Sequence, residues 1–306
     1  MHLRELEPGE EPLLLDLLDG WPFRDGRRGR EVFRRYLEDD PAYQPANVLV
    51  AEHARRLVSC VQIFPRTLRT ARGEASCGGI GSVFTAPEHR HRGIASELLR
   101  RAIQAMEERG LALSLLLAAR IRWYSALGWR ELSSTEVLLE PTGTEITASG
   151  RVLTGEQDLE QVAAIAAVYG AQRAGSVARD HAGWETSLRL AGDPDETFLV
   201  SGPGRTIDAY LRLAQLDGAW RALEWGCVPQ RRALLAELLL ANARERVVLP
   251  PLRDDELESE LRARRALLHR RPAGASWMVR PLTMSETEVA AALPADRFSF
   301  WPADRF

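Results

Sequence analysis

One segment constrains this chain more than any other: Ser82-Val83-Phe84-Thr85 runs through the basic turn Arg90-His91-Arg92-Gly93 straight into a helix at Ile94. Cys77–Thr85 reads as a strand. From Ile94 to Arg109 the apolar residues Ile94, Leu98, Leu99, Ala102, Ile103 and Met106 fall on one face, and Gly110 stops the helix. Leu111–Leu117 follows as a nearly continuous apolar run, the pattern of a strand buried in a parallel sheet. Strand, helix and buried strand in that order predict an α/β (α+β) class with a mixed central sheet flanked by helices.

The flanking residues extend the pattern. Leu3–Leu6 is a short strand, Glu11–Leu18 and Arg30–Leu37 are helices, and Trp21-Pro22-Phe23 breaks between them. Val48–Ala51 and Val58–Phe64 are strands, with turns at Ala54-Arg55-Arg56 and Arg72-Gly73-Glu74. A short helix spans Trp123–Leu127, Gly128 ends it, and Glu136–Leu139 is expected to close the sheet. Residues 141–150 are rich in turn formers and serve as a linker. Beyond them the order repeats in outline: helices over Leu159–Tyr169 and Ala182–Leu190, strands over Thr197–Val200, Ile207–Leu213 and Ala219–Trp225, a helix over Arg232–Ala243, a strand over Val247–Leu249, a helix over Asp255–His269 and a strand over Trp277–Val279. The length of 306 residues leaves room for about two domains. The expected organisation is 1–140, 151–282 and a tail over 283–306.

Composition removes several functions. A net charge of −3 leaves no electrostatic footprint for nucleic acid. The longest apolar run is far too short to span a bilayer, and the N-terminus shows no apolar signal core. Cys60, Cys77 and Cys227 are isolated, so buried reduced thiols in a cytoplasm are expected rather than disulfides or zinc. His89 and His91 stand two apart with no third ligand, and no metal is expected. The chain contains arginine but no lysine, so any phosphate contact must come from guanidinium forks or backbone.

The turn after Thr85 is where chemistry is expected. A helix start exposes unpaired N–H groups at the positive end of the macrodipole, which suits a pyrophosphate. Gly93 leaves the backbone open to phosphates, Ala95 keeps the first turn small, and Arg90 and Arg92 add charge at the rim. Taken alone, Arg-x-x-Gly-x-Ala also fits a plain strand–turn–helix connection. The equivalent turn of the second half, Gly226-Cys227-Val228-Pro229-Gln230-Arg231-Arg232-Ala233, has no such pattern, and Pro229 removes a donor. That half is expected to be structural, closing one wall of an acceptor pocket.

With Trp123-Tyr124-Ser125-Ala126-Leu127-Gly128-Trp129 downstream of Arg90–Ala95, the chain resembles the GNAT acetyltransferase superfamily. The fold expected from that resemblance is two tandem GNAT-like domains, the second degenerate. The resemblance implies acetyl-CoA as co-substrate. Val83, Phe84 and Thr85 would run along its acyl and pantetheine portion, and Arg90, His91, Arg92, Gly93, Ile94, Ala95 and Ser96 along its pyrophosphate. It makes Tyr124 the general acid; on spacing alone, Tyr124 reads first as an aromatic packed under a sheet edge. Ala86-Pro87-Glu88-His89-Arg90, the second half and the C-terminal Phe further resemble the enhanced intracellular survival acetyltransferases. That resemblance implies a general base at the terminal carboxylate, here Phe306, with an aromatic tail docked on the surface as the alternative. Their sterol-carrier-like domain is not expected after Leu282. The acceptor would be a small polyamine- or aminoglycoside-like amine. Asp16, Asp19, Trp21, Phe23 and Asp25 are its candidate contacts, although a solvated acidic helix face explains the carboxylates too. A protein or peptide amine, or a non-catalytic acyl-CoA-binding module, stays open, as does assembly into a homo-oligomer.

Overall fold

A computed structural model describes residues 1–23, 26–142, 150–190, 196–216, 218–243 and 246–304, without the side chains of 133–134 and 187–190. The first half runs β1 (His2–Glu5), α1 (Glu11–Leu18), α2 (Gly29–Glu38), β2 (Val48–His53), β3 (Arg56–Thr70), β4 (Gly73–Thr85), α3 (Ile94–Glu108), β5 (Leu113–Ala118), α4 (Ile121–Ser125) and β6 (Arg130–Pro141). The second runs β7 (Arg151–Val152), α5 (Gly155–Gly170), α6 (His181–Leu190), β8 (Glu196–Ser201), β9 (Ala209–Leu216), β10 (Ala219–Cys227), α7 (Arg232–Asn242), β11 (Val247–Leu249), α8 (Asp255–Ala263) and β12 (Ala266–Pro281), and α9 (Glu286–Ala292) follows.

Among the described residues these strands form one continuous mixed sheet, in the order β1-β2-β3-β4-β5-β12-β6-β11-β10-β9-β8-β7. The two halves exchange strands at its centre. β12 pairs antiparallel with β5 from Ser276↔Ala118 to Pro281↔Leu113, inside the first half's part of the sheet. β6 pairs with β11 from Val247↔Leu139 to Leu249↔Val137, inside the second half's part. Two expectations are corrected here. β6 does not close the sheet but lies in its interior, between β12 and β11. The helix expected through His269 stops at Ala263; Arg265 turns the chain with φ 62°, and Ala266–His269 belong to β12. Leu-Leu-His-Arg satisfies a helical pattern, but pairing of Leu267–Arg271 with Glu136–Glu140 supplies the backbone partners that decide its conformation.

Alternation along β2 divides the first half's core. Leu49 and Ala51 join the cluster under α3, while Val48 and Val50 join the one under α1 and α2. The apolar face expected for α3 is buried at all six positions. Burial of each large aliphatic side chain there contributes about 1.5–3 kcal/mol. Close approach of α3 requires Gly78, where a Cβ would sit 2.2 Å from Met106 Sδ. In the second half, Ala209, Leu211 and Leu213 pack under α7, and Tyr210 faces α5. α9 and the following chain cover Leu113, Leu115 and Val279 through Val289, Phe298 and Phe300. No helix among the described residues is long and apolar enough to cross a membrane.

Candidate active site

The site begins with an irregularity in β4. Opposite Cys60 stands Phe84 and opposite Gln62 stands Gly81, so β4 carries one extra residue, with Ser82 at φ 48°. Buried side chains of β3 hold this bulge. Ser82 Oγ donates to Gln62 Oε1 at 3.1 Å, the Cys60 thiol donates to the Ser82 carbonyl at 3.1 Å, and Ser59 Oγ donates to the Phe84 carbonyl at 2.8 Å. Ser59 also shares a hydrogen bond with the Thr85 hydroxyl. On its other side β4 is paired with β5 only over Cys77–Gly79 and Leu113–Leu115. Beyond that ladder the two parallel strands part, and residues 80–85 have no strand partner on the β5 side among the described residues.

At the open end lies the turn. Pro87–His89 forms a single 3₁₀ turn, then His91 and Gly93 take left-handed conformations at φ 61° and 76° on either side of Arg92. Gly93 is the N-cap of α3 and no side chain among the described residues caps the helix, so its first N–H groups have no side-chain acceptor there. A Cβ at Gly93 would meet nothing within 4 Å; the demand for glycine is conformational, with open space in front of the backbone. Arg90 folds back instead of reaching outward: its Nε donates to the Thr85 carbonyl at 3.0 Å and its guanidinium lies 5.7 Å from the Phe84 ring centroid. The Trp123 indole donates to Ser96 Oγ at 3.0 Å, tying α4 to the first turn of α3.

That tie positions Tyr124. Its ring packs against Trp123 at 4.7 Å and Trp129 at 6.1 Å, and its phenol makes no hydrogen bond among the described residues. Burial, partly opposed by the Arg120 charge, pushes the hydroxyl up to about 12, so Tyr124 remains a proton donor at neutral pH.

Tyr124 and Val83 open into a cavity of about 640 Å³. Trp21, Phe23, Phe33 and Tyr36 line it from the α1–α2 side, Leu117 and Trp277 from the sheet. Glu196, Arg212 and Leu223 come from the second half, and Pro302 and Ala303 from the tail. The second half does therefore form one wall. Of its tryptophans, Trp277 lines the cavity, while Trp184 and Trp225 are core. Trp21 and Phe23 line the cavity, clustered with Phe33 at 5.2 and 5.9 Å. Asp16 and Asp19 do not line this cavity. Arg30 pairs with Asp16, and Arg28 pairs with Asp19 at 2.5 Å, holding the Asp19 carboxyl below the usual range. Asp25 and Phe306 lie outside the described residues. Sequence reasoning missed the face of α2 formed by Glu31, Val32, Arg35 and Tyr36; two pairs at i, i+4 spacing were the available signal.

Behind the wall is a buried ionic network. Arg179 donates to both oxygens of Glu224 at 2.8 and 2.9 Å and to Asp304 at 2.7 Å. Tyr210 donates to Glu224 at 3.0 Å, and Arg212 bridges Glu224 at 3.4 Å and Glu196 at 2.5 Å. Burial raises the Glu224 carboxyl, but Arg179, Arg212 and Tyr210 outweigh it and leave it below the ordinary range. Asp304 stays above that range, because burial and the Glu224 charge exceed what Arg179 returns.

Residues 3–132 match the family model of the acetyltransferase (GNAT) domain. Three solved structures share the fold of most of the chain. A GCN5-related N-acetyltransferase from Anabaena variabilis is 18% identical with a TM-score of 0.71, over 92% of this chain and 73% of that one. An Enterococcus faecalis protein described as a probable N-acyltransferase is 16% identical with a TM-score of 0.68, over 92% and 72%. Eis1 from Mycobacterium abscessus is 19% identical with a TM-score of 0.63, over 95% and 76%. No curated protein matches the sequence. The fold is GNAT-like, as expected from the motifs.

Proposed function

We propose that the protein is an acetyl-CoA-dependent N-acetyltransferase acting on the primary amine of a small acceptor, built from two GNAT-like units that exchange strands. The observation that carries this reading is one arrangement: the parted β4–β5 edge and Tyr124 line one cavity, and the uncapped α3 N-terminus with left-handed Gly93 follows the end of that edge, tied to α4 through Trp123 and Ser96. The unpaired edge at residues 80–85 offers backbone partners to an extended pantetheine. The helix start offers unpaired N–H groups to a pyrophosphate.

The neutral amine attacks the acetyl carbonyl carbon, the C–N bond forms and the C–S bond breaks. The leaving sulfur takes the Tyr124 proton, and the proton lost by the amine restores the balance through a base. By resemblance that base is the terminal carboxylate of Phe306. Val83 and its neighbours orient the thioester, and the aromatic walls keep water away.

Thiol release with acetyl-CoA and a primary amine tests the reading. Tyr124→Phe is expected to lower kcat by about 10²–10³-fold while acetyl-CoA affinity is kept. Binding of acetyl-CoA with no CoA released for any amine would instead make the chain an acyl-CoA-binding module.

A further inference from the structure

Tyr124 sits on a helix too short to hold itself. α4 has 5 residues, Ile121–Ser125, and an isolated helix is marginal below about 12–15, so its place must be set from its ends. One end is the Trp123–Ser96 tie to α3. At the other the chain wraps back on Tyr124: the Leu127 and Trp129 N–H groups both donate to the Tyr124 carbonyl, at 2.9 and 3.2 Å. Arg280 of β12 pins that wrap. Its Nη1 donates to the Leu127 carbonyl at 2.7 Å, across 153 residues of sequence. Its guanidinium carbon lies 5.8 Å from the Trp129 ring centroid, and Trp129 packs edge-on against Tyr124 at 6.1 Å.

Gly128 shows how closely the two are fitted. Its φ is 92°, and a Cβ there would stand 1.8 Å from Arg280 Nη1. Glycine therefore turns the chain and also leaves room for the guanidinium. A cation at the carbonyl end of a helix is favourably placed against its dipole. Arg280 is only loosely engaged elsewhere: Nη2 is 3.7 Å from Glu107, and Nε is buried without a partner among the described residues. Its backbone is firmly set, since Arg280 stands opposite Ser114 of β5 and Val279 opposite Arg130 of β6.

We infer that Arg280 is a positioning residue for acetyl transfer, its guanidinium fixing the end of α4 and with it the Tyr124 phenol. The inference rests on the reading of Tyr124 as the acid. It makes the chemistry of the first half depend on a strand that follows the second half, outside residues 3–132. Arg280 is not among the described residues that line the cavity, so its contribution belongs to kcat rather than KM.

The test is a double-mutant cycle on CoA release from acetyl-CoA, with whichever of phenethylamine, spermidine and kanamycin turns over fastest. Arg280→Met is expected to lower kcat about tenfold with KM for acetyl-CoA within about twofold, and Arg280→Lys to recover kcat to within about threefold. In the Tyr124→Phe background, Arg280→Met is expected to cost less than about twofold more, because the group it positions is gone. Arg280→Gln, too short to reach the same carbonyl, repeats the cycle if the Met variant does not fold. In protein carrying 3-fluorotyrosine, the fluorine resonance that Tyr124→Phe deletes is expected to shift or broaden in Arg280→Met and to return in Arg280→Lys. An unchanged resonance, an unchanged kcat, or the same tenfold loss with and without the Tyr124 hydroxyl overturns the inference and leaves acetyl transfer standing. If Tyr124→Phe leaves kcat unchanged, or no amine releases CoA, the reading beneath it falls and takes the inference with it.

Discussion

Two turns in this molecule connect a strand to a helix in the same order of elements, and only one of them leaves room for a ligand. After β4 the chain passes through left-handed His91 and Gly93, reaches an uncapped α3, and leaves the β5 side of residues 80–85 unpaired. After β10 it passes through Pro229 and a left-handed Gln230 into α7. The parallel ladder to β11 there covers Trp220↔Val247 and Arg221↔Val248. Beyond that ladder the space is filled by side chains. Trp225 packs on Trp301 at 4.7 Å and donates to the Tyr169 hydroxyl at 3.1 Å, which donates to Asp254 at 2.8 Å. Arg232, in the first turn of α7, pairs with Asp254 at 3.4 Å. The lesson is that a parted pair of strands becomes a binding slot only where large side chains are withheld from it.

The comparison can be broken most severely from the filled side. Arg179→Met would strip Glu224 and Asp304 of their shared guanidinium while both stay buried. A loss of about 3–5 kcal/mol is expected, read by urea melting, and a loss under about 1 kcal/mol would show that the network does not hold the wall. On the open side, Gly93→Val forces a β-branched residue into a left-handed conformation at a position where a Cβ meets nothing within 4 Å. KM for acetyl-CoA should rise about tenfold, equivalent to about 1.4 kcal/mol, and the strained residue should also cost about 1–2 kcal/mol of stability, seen as a lower Tm. The mirror experiment, Gln230→Gly, relieves a left-handed residue and should stabilise by about 1 kcal/mol or less, since added glycine entropy offsets part of the gain. It should leave KM for acetyl-CoA unchanged; a rise would mean that the second turn also serves the coenzyme.

The smallest expected effect is an absence. The Tyr124 hydroxyl is raised to about 12 in the fold. Unfolded chains therefore lose this proton first as the medium becomes alkaline, and the stability tied to it is present below about pH 10 and lost as pH rises through the folded value. The acid is thus still protonated at about pH 10, so kcat/KM should climb as the amine is neutralised and show no descending limb below that point. A descending limb between about pH 8 and 9 would remove Tyr124 from the acid role.

Much of this was legible in the sequence because it is local. The six apolar positions of α3, the Gly93 punctuation and the Trp123–Trp129 element each depend on residues within a few turns of one another. The bulge at Ser82 was not, because it is fixed by Ser59, Cys60 and Gln62 on a neighbouring strand. The cavity wall was legible only in outline, since Glu196, Arg212 and Ala303 reach the cavity lined by α2 through tertiary packing. Asp16 and Asp19 misled for the complementary reason: two acids near aromatics suggest a cation site, but Arg28 and Arg30 take both.

The exchange of β6 and β12 has a consequence during synthesis. When the ribosome has released the chain through β6, β5 can pair with β4, but its other edge must wait for Ser276–Pro281 of β12, the last of the described strands to emerge. Until then an apolar strand edge at the centre of the future sheet stays available to any other strand it meets. The nascent protein needs shelter over most of its translation, and late sequence-distant pairing predicts slow maturation. Cutting the gene between the halves would yield two polypeptides, each missing a strand that the other carries.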